Sequence, residues 1–150
     1  MFRGHFDHTL DPKGRLSIPA KFRDIIAGKG DDRIVVTRFA IGDLKCLDVY
    51  PWDEWLRLEE EIRQKPKFER PMLMFQTYYL GAASECSVDS HGRVLIPPAL
   101  RRHADLKRNV VVVGALDKFR IWDQDAWEKV SENTETVLRE NPDFLADLKI

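Results

Sequence analysis

Apolar and polar positions alternate near the start of the chain, with Phe6, His8 and Leu10 on one side and Asp7 and Thr9 on the other, which is the period of a strand. Pro12-Lys13-Gly14 breaks the alternation as a turn, and Arg15-Leu16-Ser17-Ile18 resumes it as a returning strand. Pro19 suits the first position of a helix, where a missing N–H costs nothing; Phe22, Ile25 and Ile26 give that helix an apolar stripe and Gly28 closes it. The β-branched run at residues 33–37 predicts a strand, residues 40–43 a connection, and residues 46–50 the second strand of a hairpin. Two helices should follow, over residues 52–64 and, after Pro66, over residues 70–80 up to Gly81. In the second of these, Met72, Phe75 and Tyr79 have the spacing of a buried helix face.

The series then returns. Asp11 to Arg23 reappears as Asp89 to Arg101 at a constant offset of 78 residues, with six of thirteen positions identical where chance gives about one. The second unit reads as a strand at residues 86–88, a turn at 89–93, a strand at 94–96, a helix opening at Pro97-Pro98, and strands at 110–113 and 118–122. Trp55 and Trp127 each follow the last strand of a unit but lie only 72 apart, so the second unit should have lost about six residues from its interior loops. The expected organisation is a module at residues 5–52, a helical linker at 53–81, a second module at 82–125 and an acidic helical tail at 126–150. In that tail Trp127, Val130, Thr134 and Val137 form a one-sided stripe, broken at Asn141-Pro142 before a short last turn, as in a packed cap or a protein contact.

With 150 residues, 43% hydrophobic and 33% charged, the chain can bury a core as one compact domain or two small ones. No apolar run approaches the roughly 20 residues of a membrane span, and Met1-Phe-Arg-Gly-His is not followed by the apolar stretch of a signal peptide, so a cytosolic protein is expected. Cys46 and Cys86 lack a Cys-x-x-Cys spacing and are expected to be buried thiols. A net charge of −1 argues mildly against a nucleic-acid partner, but the charges are unevenly spread. Arg3, Lys13, Arg15, Lys21 and Arg23 face only Asp7 and Asp11 in the first 23 residues, whereas residues 123–150 hold eight carboxylates against three cations.

No metal or cofactor site is expected. His5 and His8 fall on opposite faces of a strand, and no Cys/His pair has the spacing of a zinc motif. Gly28-Lys29-Gly30 lacks the rest of a phosphate-binding loop and no Gly-x-Ser-x-Gly occurs, so catalysis has no anchor and the chain is not expected to be an enzyme. The chemistry-bearing pattern is Asp-x-x-x-Arg, which brackets the turn in both units as Asp11 to Arg15 and Asp89 to Arg93. It reads both as an ion pair pinning the turn and as an arginine held at a hairpin tip, able to approach a phosphate or a guanine edge. Asp11, Gly14, Asp89 and Gly92 are the turn-supporting residues, and His91 stands where the first unit has Lys13.

The Met-Phe-Arg-Gly start, Asp11-x-Lys-Gly-Arg-Leu-Ser-Ile-Pro19, the segment Tyr79-Leu-Gly-Ala-Ala-Ser-Glu-Cys86 and the second Asp89-x-x-Gly-Arg-Val-Leu-Ile-Pro97 together resemble the bacterial MraZ family, across practically the whole chain. Each half resembles a swapped-hairpin module of the AbrB/SpoVT type. The resemblance implies an α+β fold in which two tandem modules interleave their hairpins in a β-rich core with surrounding helices. It further implies ring-shaped homo-oligomers and a nucleoid-associated transcriptional regulator, usually a repressor, that binds G-rich direct repeats in double-stranded DNA upstream of its own division and cell-wall operon. Carried onto this chain, the DNA-contact motif falls on Asp11 and Arg15 and on Asp89 and Arg93. Arg15 is the foremost candidate, helped by Lys13, Arg3, Arg93, Arg23, His91 and Arg101. Lys13, Ser17 and Lys21 become His91, Leu95 and Ala99, so the second unit is expected to be the less basic reader. The rival expectation is an antitoxin-like protein-interaction module whose tail neutralises a partner.

Overall fold

The chain runs β1 (His5–Thr9), β2 (Arg15–Ser17), α1 (Ala20–Gly28), β3 (Arg33–Ile41), β4 (Leu44–Pro51), α2 (Trp52–Arg63), α3 (Arg70–Phe75), a π-helical turn (Gln76–Leu80), β5 (Ser84–Ser87), β6 (Arg93–Leu95), α4 (Pro98–His103), β7 (Asn109–Ala115), β8 (Lys118–Asp123), α5 (Gln124–Glu140) and α6 (Pro142–Asp147) in a computed structural model that describes all 150 residues. The fold is α+β, and its strands pair across the repeat. β1 and β2 meet only at a bridge between Leu10 and Leu16, so the first turn does not close an ordinary hairpin. β1 pairs instead with β7, β5 with β3, and β2 with β6, all antiparallel. The six-stranded sheet has the order β1-β7-β8-β4-β3-β5, which reads the same from either end when the units are exchanged.

Burial explains the exchange. Leu16, Ile18, Val94 and Ile96 are all fully buried, together with Leu47, Val49, Val112 and Ile121 of the sheet. A three-residue hairpin standing alone could not remove such side chains from water, each worth about 1.5–3 kcal/mol when buried. The β2–β6 ribbon, α1 and α4 close over one face of the sheet, and Phe2 completes that layer by packing between Phe22 and Phe119. The shortening of the second unit lies mostly in paired strands rather than in loops as expected. β3 and β4 have nine and eight residues, β7 and β8 seven and six, and each pair is joined by a two-residue turn. The connection expected at residues 40–43 is therefore shorter, because Ala40 and Ile41 still pair with Lys45 and Leu44.

The other sheet face carries α2 and the π-helical turn over Val35 and Tyr50, and α5 over Cys46 and Trp122. The helix expected over residues 70–80 changes to π geometry at Gln76, where Gly81 N donates to Gln76 O at 2.9 Å. Carbonyls of this turn are taken by β3 side chains: the Thr37 hydroxyl donates to Tyr79 O and Arg38 Nε to Tyr78 O. Tyr79 is thereby seated in the core while Met72 and Phe75 stay half-buried. Its hydroxyl donates to buried Asp48, which also accepts from Arg120 Nε at 2.8 Å, and burial holds the Tyr79 hydroxyl far above its usual range. Of the tail stripe only Val130 is buried, with Trp127 half-buried; Thr134 and Val137 are exposed, because no later segment covers α5 as the π-helical turn covers α2. Cys46 is buried, its thiol pushed up to about 12 by desolvation, whereas Cys86 is only half-buried.

Because Leu16 lies in the core shared by both units, Leu16→Ala is expected to cost about 2–5 kcal/mol. The loss should appear as a single urea transition that coincides by tryptophan fluorescence and by circular dichroism.

Candidate nucleic-acid interface

The ribbon pairs Arg15 with Leu95 and Ser17 with Arg93, so exchanging the units maps the ribbon onto itself. Strand alternation sends Leu16 and Val94 inward and leaves Arg15, Ser17, Arg93 and Leu95 on one outward face. Two residues along and one strand across puts the Cα atoms of Arg15 and Arg93 on the order of 8 Å apart. The two arginines of the repeated motif thus share one surface, with the side chain of Leu95 exposed beside Arg15.

Both turns are built alike. Asp11 Oδ1 accepts from the backbone N–H groups of Lys13 and Arg15, each at 2.9 Å, and its other oxygen accepts from Arg15 Nε at 2.5 Å. Asp89 Oδ1 accepts from His91 N at 2.8 Å and Arg93 N at 2.9 Å, and its Oδ2 accepts from Arg93 Nε at a longer 3.3 Å. The bond from the arginine backbone N–H is the main reason each carboxyl is held below its ordinary value, aided by the arginine side chain. Only Nε of each arginine is hydrogen-bonded, so the two terminal amino groups are unpartnered, and the two side chains are 33% and 31% exposed. Lys13 and His91 are exposed at the tips.

Each turn leans on the opposite unit. Ile96 N donates to Gly14 O and Ile18 N to Gly92 O, at 3.0 and 2.9 Å. Gly14 and Gly92 have φ of +85° and +74°, and each lies beneath an arginine from the other half: Arg101 over Gly14, Arg23 over Gly92. A Cβ at either position would land on that arginine side chain. Arg101 is fixed by donating from Nε to Ile96 O at 3.0 Å. Arg3 is not brought to the first turn. It follows Phe2, which bridges to Leu116, and the length of β1 and its flanks separates it from Lys13 by roughly 20 Å. The structure adds residues that the sequence reading passed over: Arg102, Lys107 and Arg108 line a cleft with Asp11, Gly14 and Arg101. Their signal was the basic cluster Arg101-Arg102 followed by Lys107-Arg108, which local periodicity could not place beside a turn some ninety residues earlier.

No helix is long and apolar enough to cross a membrane. The family described as "MraZ protein, putative antitoxin-like" matches residues 1–77 and 79–147. The chain is similar to proteins named "Transcriptional regulator MraZ" from Thermoanaerobacter pseudethanolicus (37% identical, covering 100% of both chains) and Natranaerobius thermophilus (39%, 100% of both). The protein of the same name from Pediococcus pentosaceus is 42% identical over 98% of this chain and 95% of its own.

Placing a Cβ on a left-handed residue costs about 1–2 kcal/mol, so Gly14→Ala and Gly92→Ala are each expected to lower stability by that much in urea unfolding, to similar extents. The depressed Asp11 and Asp89 carboxyls stabilise the turns fully above the ordinary value near 3.8, and that contribution is lost as pH falls through the lowered folded values. Amide NMR signals of Lys13 and Arg15 should therefore stay constant from neutral pH down to about 4 and shift only below it.

Proposed function

The chain belongs to the MraZ family, and we propose that it is a transcriptional regulator that binds double-stranded DNA through the outward face of its β2–β6 ribbon. The observation that carries this reading is the pair of arginines on that face, each gripped at Nε by an aspartate and left with free terminal amino groups. A guanidinium so oriented can bond guanine O6 and N7 together, which suits G-rich sites. Arg15 is the principal base contact, and Arg93 the second. Lys13 and Arg101 supply phosphate contacts around the tips, His91 adds a donor, and Arg3 and Arg23 approach DNA only at the periphery. A phosphate contact fixes position and a base contact selects sequence, so the two groups of residues should fail differently when altered.

In the finer form of the proposal, several copies assemble as a ring and present several ribbons to direct repeats upstream of the chain's own operon, repressing it. One ribbon offers few contacts. Linked ribbons turn later binding events into intramolecular ones and raise affinity without new chemistry. The exposed Val137 of α5, Phe144 of α6 and Leu148 just after it favour a protein contact at the acidic end, away from phosphates. The same surface favours the second reading, in which that end captures an unrelated partner and the ribbon serves only to hold the halves together.

Arg15→Ala is expected to weaken binding to a duplex from directly upstream of the chain's reading frame by at least about 1–3 kcal/mol, without lowering the urea midpoint. Log affinity of the unaltered protein should fall linearly with log salt between about 50 and 200 mM. Undiminished binding by Arg15→Ala, or a flat salt dependence, would favour the second reading. Fluorescence anisotropy measures both.

A further inference from the structure

The two-fold relation between the turns holds for the backbone but not for the charges around them. Beside the first turn lies a cleft of about 500 Å³ whose charged lining is Asp11, Arg101, Arg102, Asp105, Lys107 and Arg108. Beside the second turn the corresponding lining is Arg23, Asp31, Asp32 and Asp89. The first lining carries four cations to two carboxylates, the second one cation to three carboxylates, and the ion pairs already formed show which of these are engaged. Lys107 is engaged by Asp123 at 3.1 Å and by Asp105 and Asp125 at 3.7 Å, and Asp11 is engaged by Arg15. Three guanidinium groups, those of Arg101, Arg102 and Arg108, are left with no carboxylate partner. In the second cleft Arg33 takes Asp31 at 2.7 Å and Arg93 takes Asp89 at 3.3 Å, leaving Arg23 and Asp32 in the same lining without an ion pair between them. The first cleft thus keeps three arginines outside any ion pair and the second keeps one.

The source of the difference lies in the swap. The cations beside the first turn come from α4 and the segment after it, in the second unit, while the carboxylates beside the second turn come from the segment after α1, in the first unit. The unit whose own tip lost its lysine therefore furnishes the basic wall of the opposite tip. Three arginines lining one open cleft suit the oxygens of a phosphodiester, to which arginine can donate two parallel hydrogen bonds. A carboxylate at the equivalent place opposes the same anion.

We propose that the cleft formed by Arg101, Arg102 and Arg108 beside the first turn is a seat for DNA backbone phosphate, and that its counterpart beside the second turn is not. The proposal rests on the DNA-binding reading above and adds a polarity to it. Each chain docks with the first turn clamped to the backbone, so Arg15 is held in register against the bases while Arg93 is held more loosely. Direct repeats, which all point the same way, match a protomer that binds in one orientation.

The test compares Arg102→Ala/Arg108→Ala, Arg23→Ala and Arg15→Ala in the full chain by fluorescence anisotropy. The probes are a duplex from directly upstream of the reading frame and a scrambled duplex of equal length, over a salt series. Arg102 and Arg108 are exposed, so unchanged urea midpoints are expected and verify folding. The expected result is a loss of roughly tenfold or more for the double variant on both duplexes alike, with the salt slope reduced by about two, while Arg23→Ala changes affinity less than about threefold. Unaltered affinity and slope for the double variant, with binding lost in Arg15→Ala, would overturn the phosphate seat and leave the ribbon reading standing. Equal losses from Arg23→Ala and the double variant would overturn the polarity. Undiminished binding in Arg15→Ala would remove the ribbon reading and this proposal with it.

Discussion

Each half of this chain completes the other's turn, and the exposed ribbon owes its shape to that exchange. β2 has no long partner in its own unit; it reaches β6, and Leu16 and Val94 vanish into a core built by both halves. The amide of Ile96 then holds Gly14, the amide of Ile18 holds Gly92, and an arginine from each half roofs the other's glycine. A turn carrying unpaired cations would be poorly ordered on a free hairpin. Here the flanking strands are tied into one hydrophobic layer, so the aspartate and the glycine need only fix the last few dihedral angles. Rigidity at the tips comes from apolar burial beneath them, while the charged groups above remain free for an anion.

Much of this was legible in the sequence because the repeat shows itself by identity. The Asp-x-x-x-Arg turns, the prolines that open α1 and α4, and the strands of both units follow from local pattern and fall within a residue or two of expectation, except that β3 runs four residues further, to Ile41. Residue pattern alone could not say which strand pairs with which, because a three-residue strand such as β2 carries almost no register information; the swap was expected only from the family resemblance. Phe2 was read as part of a motif, yet its burial depends on β7 and β8, more than a hundred residues away. The π-helical turn at Gln76 was hidden for a related reason. Thr37 and Arg38 stabilise its carbonyls from a distant strand, and helix periodicity contains no trace of them. Asp48 lay in a segment read as a strand, but its arginine and tyrosine partners come from β8 and the linker.

Charge departs from the symmetry of the backbone, and this departure is where the chain gains direction. Duplication made two equal turns; Lys13 against His91 and Ser17 against Leu95 mark the difference on the ribbon itself. Taken unit by unit, these changes leave the second tip with less positive charge than the first. In three dimensions the second half also contributes Arg101, Arg102 and Arg108 to the surroundings of the first tip, so its basic residues add to the positive charge there. The exposed apolar residues of α5 and α6 lie on the acidic segment, where contact with another protein would not compete with phosphate.

The central claim, that DNA meets a ribbon assembled from both halves, is tested most directly by following backbone amide NMR signals of the full chain as duplex from upstream of its reading frame is added. The account predicts that the largest changes fall together on residues 13–15 and 91–93 and on residues 101–108, segments far apart in sequence. Changes centred on α5 and α6, or none at the ribbon, would contradict it.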